Sequence, residues 1–208
     1  MAKMFDFEKE KNAFILEMLR KEYVSFNAKK VWVDDSIKLL FYKSEFLPHS
    51  LNREIKILNK SNAGIDFAPE SLDMPLPLLF RELEELHKNN SGIGNIDEEL
   101  FRETIANLII HRSYDEHSSL GYIEFNEVEL HVKNEASKNI LAEQLNKLPS
   151  FKAESKAGNA GIAFFFDKAG YCERSRKGQK TFERNSKRIK ITINDDIFVD
   201  VCLNFFKG

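Results

Sequence analysis

The chain has 208 residues, 42% of them hydrophobic, and a formal net charge of −2. That length suits one large domain or two small ones with a packed core, and the near-neutral charge excludes a global field that would draw nucleic acid or membrane. No segment approaches the roughly 20 apolar residues of a bilayer span, and the opening MAKMFDFEKE has no apolar secretion signal. Cys172 and Cys202 lack CxxC spacing and read as buried thiols of a reducing compartment, so a cytoplasmic protein with no membrane partner is expected.

Residues 6–22 predict a helix, with Phe14, Ile15, Met18 and Leu19 at helical spacing. Val31–Val33 and Ile37–Phe41 read as short extended segments around an Asp34-Asp35 turn, and Ile55–Leu58 as a further strand. Pro69, Pro75 and Pro77 mark a connector, which places a boundary between a smaller N-terminal α/β region at 1–75 and a main domain at 76–208. Residues 76–89 are strongly helical, and 97–114 form a second helix that opens on acidic residues suited to its dipole. Tyr122–Phe125 and Val128–Val132 alternate apolar and polar residues across Asn126-Glu127, a hairpin signal. A short helix is expected over 137–147, and another over 159–169 ending at Gly170. Ile189–Ile193 and Ile197–Phe205 close the chain as a second hairpin turning at Asn194–Asp196. The eighteen phenylalanines are read as core rings.

On a wheel of the 97–114 helix, Phe101, Ile105 and Leu108 gather on one side, with Glu103, Asn107, His111 and Tyr114 opposite. A carboxylate and an amide one turn apart can orient water and hold a hydrated Mg²⁺ beside phosphates. The same pattern also fits a solvated face, and spacing alone does not choose between them.

The run ETIANLIIHRSYD, with the hairpin YIEFNEVELHVKN after it, resembles bacterial putative transcriptional regulators with a divergent ATPase domain of the gyrase, Hsp90 and histidine-kinase type. The match lies at Arg102, Glu103, Asn107, His111, Arg112 and Tyr114, with Ser113 where that family has Asp. LLFYKSEF and AGIAFFFDKAGYCER are similar to flanking segments of the family. The resemblance implies an α+β fold, a two-layer α/β sandwich. It implies ATP and Mg²⁺ as cofactors, Glu103 as the water-activating catalytic residue and Asn107 as the Mg²⁺ ligand. Asn107, His111, Arg112 and Asn134 would line the nucleotide site. Two departures point to a degenerate, non-hydrolysing version. The family's Asn-Pro-Gly is Asn134-Glu135-Ala136 here, and its Gly-Ser-Gly turn is Ser175–Gln179 with one glycine, Gly178.

Between Arg174 and Lys190 lie eight basic residues (Arg174, Arg176, Lys177, Lys180, Arg184, Lys187, Arg188 and Lys190) against one acid, Glu183. Such a cluster can neutralise phosphates, which makes DNA the expected partner; an ordinary solvated loop and strand face is the alternative. His111, Asp115 and His117 fit no strong metal spacing, and Glu154-Ser155-Lys156 lacks the preceding acid of a nuclease site. The function expected is a nucleic-acid-associated regulatory module. The alternatives are a Mg²⁺-dependent ATPase and a protein-interaction domain of a longer regulator or restriction-type protein.

Overall fold

The computed structural model describes residues 6–20, 25–27, 30–32, 35–60, 70–115, 120–137, 140, 147–148, 158–172, 177–195 and 198–205. Helix α1 (Phe7–Arg20) is followed by the two-stranded ribbon β1 (Ser25–Asn27) and β2 (Lys30–Trp32). Next comes α2 (Asp35–Phe41), where an extended segment is expected from the residue types. The reason for the difference is burial. Ile37, Leu39, Leu40 and Phe41 are all buried, which a strand with one covered face cannot do, whereas a short helix wedged between others can. Asp35 in its first turn and the Lys38–Asp35 ion pair at 2.7 Å reinforce the helix.

Strands β3 (Ile55–Asn59), β4 (Glu70–Leu72), β5 (Gly121–Phe125), β6 (Glu129–Glu135), β7 (Ile189–Asn194) and β8 (Phe198–Asn204) form one sheet in the order β4-β3-β5-β6-β8-β7. All neighbours pair antiparallel except β3 and β5, which run parallel. Between β4 and β5 lie α3 (Leu76–Asn89) and α4 (Glu98–His111); between β6 and β7 lie α5 (Ala160–Ala169) and α6 (Lys177–Arg184). The fold is α+β, a mixed sheet with packed helices.

The boundary expected at residue 75 is a connection inside this fold. β3 and β4 belong to the same sheet as β5–β8, and one hydrophobic core runs from Phe14 to Phe205. Arg53 binds the early residues to it. Its buried guanidinium donates to Asp73 Oδ1 at 2.8 Å, to the carbonyls of Leu39 and Tyr42 at the end of α2, and to Ser44 Oγ. Most of the described phenylalanines serve the core as expected, whereas Phe46 is exposed. Phe14 packs on Phe41, Phe164 and Phe165, and Phe80 on Phe166 and Tyr171, with ring centroids 4.6–5.9 Å apart.

Helix α4 holds the centre. Asp97 caps it by accepting from Leu100 N at 3.0 Å. It packs against β6 and against α3, α5 and α6, so Leu100, Phe101, Thr104, Ile105, Ala106, Leu108, Ile109 and Ile110 are all buried. It stops at His111, three residues before the expected end, because Arg112 turns extended and bridges to Ala136 beyond β6. Tyr114 therefore leaves the polar stripe: it is buried beyond the helix, and its hydroxyl donates back to the Ile109 carbonyl at 2.7 Å. Both expected hairpins form, the first turned by Asn126, whose Oδ1 accepts from the amides of Val128 and Glu129. The second turns at Asp195, with φ of 50°. Gly170 ends α5 in the left-handed region, φ 75°, as its position after the apolar run implies. Of the helix expected over 137–147, residues 138–139 and 141–146 lie outside the described residues.

Candidate functional site

The polar line of α4 is the only part of the helix beyond its exposed first turn that is not buried: Arg102, Glu103, Asn107 and His111 are all half-buried. A solvated face would leave them exposed. Their surroundings come from the loops and helix that follow β6. The first turn of α6 lies on Glu103 so closely that a Cβ at Gly178 would collide with Glu103 Oε1. Any larger residue would have to displace the Glu103 carboxylate. Asn107 Nδ2 reaches Glu103 Oε1 at 3.5 Å, a long bond. At the far end of the helix, Gly158 N donates to His111 Nδ1 at 3.4 Å, while Asn159 Nδ2 donates to the carbonyls of Ile110 and Arg112 at 2.9 Å. Burial pushes the His111 imidazole down to about 4, so it is neutral at physiological pH.

Two residues expected at a nucleotide site are structural here. Arg112 is 1% exposed; it donates to the carbonyls of Glu54 and Ser113 and lies over the Tyr114 ring, 4.9 Å from the centroid. Burial lowers its pKa, and no carboxylate pairs with it among the described residues. A guanidinium so placed joins β3 to the end of α4 and does not reach a ligand in bulk water. Asn134 is buried as well, and its Nδ2 donates to the neighbouring Glu135 carbonyl. Of the set Asn107, His111, Arg112 and Asn134, the last two are thus buried and engaged with backbone, while Asn107 and His111 stay half-buried.

An open cleft of about 650 Å³ does lie on this side of the molecule, one turn further toward the start of α4. Its lining includes Glu98, Glu99, Arg102, Glu103, Tyr171, Gly178 and Thr181, but not Asn107. Arg102 is ion-paired to Glu84, and Glu99 accepts from Thr181 Oγ1 at 2.6 Å and from Arg184 at 3.1 Å. Among the described residues its lining carries three carboxylates, of which Glu99 is paired with Arg184, and one guanidinium, paired with Glu84.

The basic stretch is spread over three consecutive elements. It forms α6, a short 3₁₀ turn at Ser186–Arg188, and β7. Lys180, Arg184, Lys187 and Lys190 are exposed. Arg188 is not available to a partner: it is buried, donating through Nε to the Asn204 carbonyl at 3.1 Å and through Nη2 to those of Asn95 and Phe205. Arg174, Arg176 and the side chain of Lys177 lie outside the described residues, as do His117 and Glu154–Lys156. Asp115 bridges through its backbone to Leu51.

A second constellation escaped the residue pattern. On β6 and β8, His131 stands directly across from Cys202, with Glu129 and Asp200 two residues along on the same faces. His131 Nδ1 lies 3.0 Å from Asp200 Oδ1, and Nε2 lies 3.2 Å from Glu129 Oε1. Cys202 Sγ donates to Glu129 Oε2 at 3.5 Å. Burial, then the Glu129 carboxylate, pushes the thiol up to about 12, while the bond to His131 holds the Glu129 carboxyl below its usual range. The signal was present as Glu-x-His and Asp-x-Cys on two strands, but only their register joins them.

No family model matches the chain, and no curated protein is detectably similar. Among solved structures, the DIP2311 protein of Corynebacterium diphtheriae superimposes with a TM-score of 0.63 at 18% identity, over 95% of this chain and 42% of that one. The likeness is one of fold. This chain therefore spans less than half the length of that neighbour. No described helix is long and apolar enough to cross a membrane.

Proposed function

We propose that this chain is a non-hydrolysing module of the divergent ATPase-like kind, working in contact with nucleic acid as part of a cytoplasmic regulator. The observation that carries the first half is the seating of α6 on Glu103, where the one remaining glycine, Gly178, brings backbone against the carboxylate that would otherwise activate water. The burial of Arg112 and Asn134 points the same way. The second half rests on Lys180, Lys187 and Lys190, exposed cations carried by consecutive elements at the end of the chain. Cys172 and Cys202 form no disulfide with each other, in keeping with a reducing compartment.

Binding of a labelled DNA duplex, followed by fluorescence anisotropy across a salt series, tests the reading. Charge reversal at Lys180, Lys187 and Lys190 is expected to weaken binding and to flatten the log–log salt slope by roughly 0.9 per lost phosphate contact. Equal affinity of parent and variant would remove the nucleic-acid half. Calorimetry with Mg²⁺ and ATP tests the other half, for which no heat at millimolar nucleotide is expected. One observation favours ATP binding, the second reading: Glu103 and Asn107 remain one turn apart on a half-buried face, and measurable heat lost in Asn107→Ala would establish it. The short span relative to the longer neighbour favours a place within a larger protein, where other domains or a protein partner would share the work.

A further inference from the structure

The outer-face cluster of β6 and β8 owes nothing to the reading of α4. We propose that Glu129, His131 and Cys202 bind a single divalent transition-metal ion of the zinc class, with Asp200 holding the histidine ring from behind.

Residue chemistry comes first. A thiol, an imidazole and a carboxylate are the donor types that zinc takes, at about 2.0–2.3 Å each, so that neighbouring donors of a tetrahedral site lie roughly 3.3–3.5 Å apart. Here Nε2 to Oε1 is 3.2 Å and Sγ to Oε2 is 3.5 Å. One ligand atom from each of Glu129, His131 and Cys202 lies within 4.8 Å of the others, so the set closes on an ion by small side-chain rotations.

The orientation of the ring is the second argument. Both Asp200 oxygens lie close to His131 Nδ1, at 3.0 and 3.1 Å. A carboxylate on Nδ1 fixes the tautomer that leaves the Nε2 lone pair for a metal, and Nε2 is the nitrogen that faces Glu129. The scaffold is the third. β6 and β8 pair along all seven residues of β6, with His131 opposite Cys202, so the donors stand on two adjacent, interior strands of the sheet rather than on a loop.

Access and charge complete the site. The His131 and Glu129 side chains are 26% and 34% exposed, which leaves room for entry and for a water as fourth ligand. Lys133 on the same strand is already paired with Glu124 at 2.7 Å, and Lys190 stands across from Cys202 on β7. On binding, the sulfur lone pair forms the metal bond, and the thiol proton now donated to Glu129 Oε2 passes to solvent. Without a metal the same residues would form only a hydrogen-bonded cluster of side chains, and the experiment separates these outcomes.

The full chain, freed of metal by chelator and kept reduced with a phosphine, is titrated with Co²⁺ and then Zn²⁺. The parent is expected to bind one Co²⁺, with the visible bands of a four-coordinate ion and a near-ultraviolet thiolate charge-transfer band, all bleached by Zn²⁺. Cys202→Ser should abolish the charge-transfer band, Cys172→Ser should leave it unchanged, and Asp200→Asn should weaken zinc about 10–100-fold. The proposal is overturned if the parent develops no thiolate band, if the band survives Cys202→Ser, or if it is lost in Cys172→Ser. Should Cys202→Ser fail to fold, the parent spectrum with the Cys172→Ser and Asp200→Asn titrations decides the question.

Discussion

The helix layer and the outer face of the sheet treat their polar residues in opposite ways. In the helix layer three polar side chains end on backbone: His111 on the Gly158 amide, Arg112 on the carbonyls of Glu54 and Ser113, Arg188 on those of Asn95, Asn204 and Phe205. On β6 and β8, His131, Glu129, Asp200 and Cys202 end on one another, at the edge of water. Backbone partners cannot move without the fold, so the first set builds structure. Side-chain partners can be exchanged for a ligand at little cost. A site is more easily read in the second arrangement than in the first.

The largest effect that separates the two regions belongs to Arg188. Arg188→Ala strands three carbonyls in a buried setting and is expected to cost about 3 kcal/mol by urea denaturation. A cost below about 0.5 kcal/mol would mean that this arginine is a surface cation after all. His111 gives the next largest effect, and its sign follows from burial. The folded imidazole titrates at about 4 rather than 6.5, so the unfolded chain takes up the proton first as the pH falls. The stability linked to His111 is full above pH 6.5 and is lost between 6.5 and 4, by roughly 1–3 kcal/mol. Denaturation midpoints across that range should decline less steeply in His111→Gln; parallel curves would sink the assignment.

Gly178 offers a smaller but sharper test, because its sign should reverse with its neighbour. Alanine there meets Glu103 Oε1 and must displace it, which is expected to cost about 1 kcal/mol net. In a Glu103→Ala background the same substitution should instead stabilise α6, by about 0.5–1 kcal/mol from helix propensity. A double-mutant cycle without coupling would mean that α6 does not rest on Glu103. Smallest of all, Lys187→Ala, one residue from Arg188 but exposed, should stay within about 0.5 kcal/mol of the parent.

What could be read from the residues alone was whatever depends on near neighbours in the chain. The helices α3, α4 and α5, the two hairpins and the glycine stop at Gly170 all follow from spacing, caps and turn chemistry, which act over a few residues. The polar line on α4 was legible for the same reason. Its meaning was not, since that depends on α6 and the Gly158–Asn159 turn, elements about 50 to 75 residues further along the chain. Local pattern misread Ile37–Phe41, whose apolar run fits a strand until tertiary packing buries four of its five side chains in a helix. It also grouped Arg188 with the exposed Lys187 and Lys190, because charge is visible in a sequence and burial is not. The register of β6 against β8 is the clearest case. His131 and Cys202 are 71 positions apart, a separation that follows from their numbers, and only the pairing of two strands makes them neighbours. Periodicity chooses the elements; the long-range pairing of those elements decides which side chains meet.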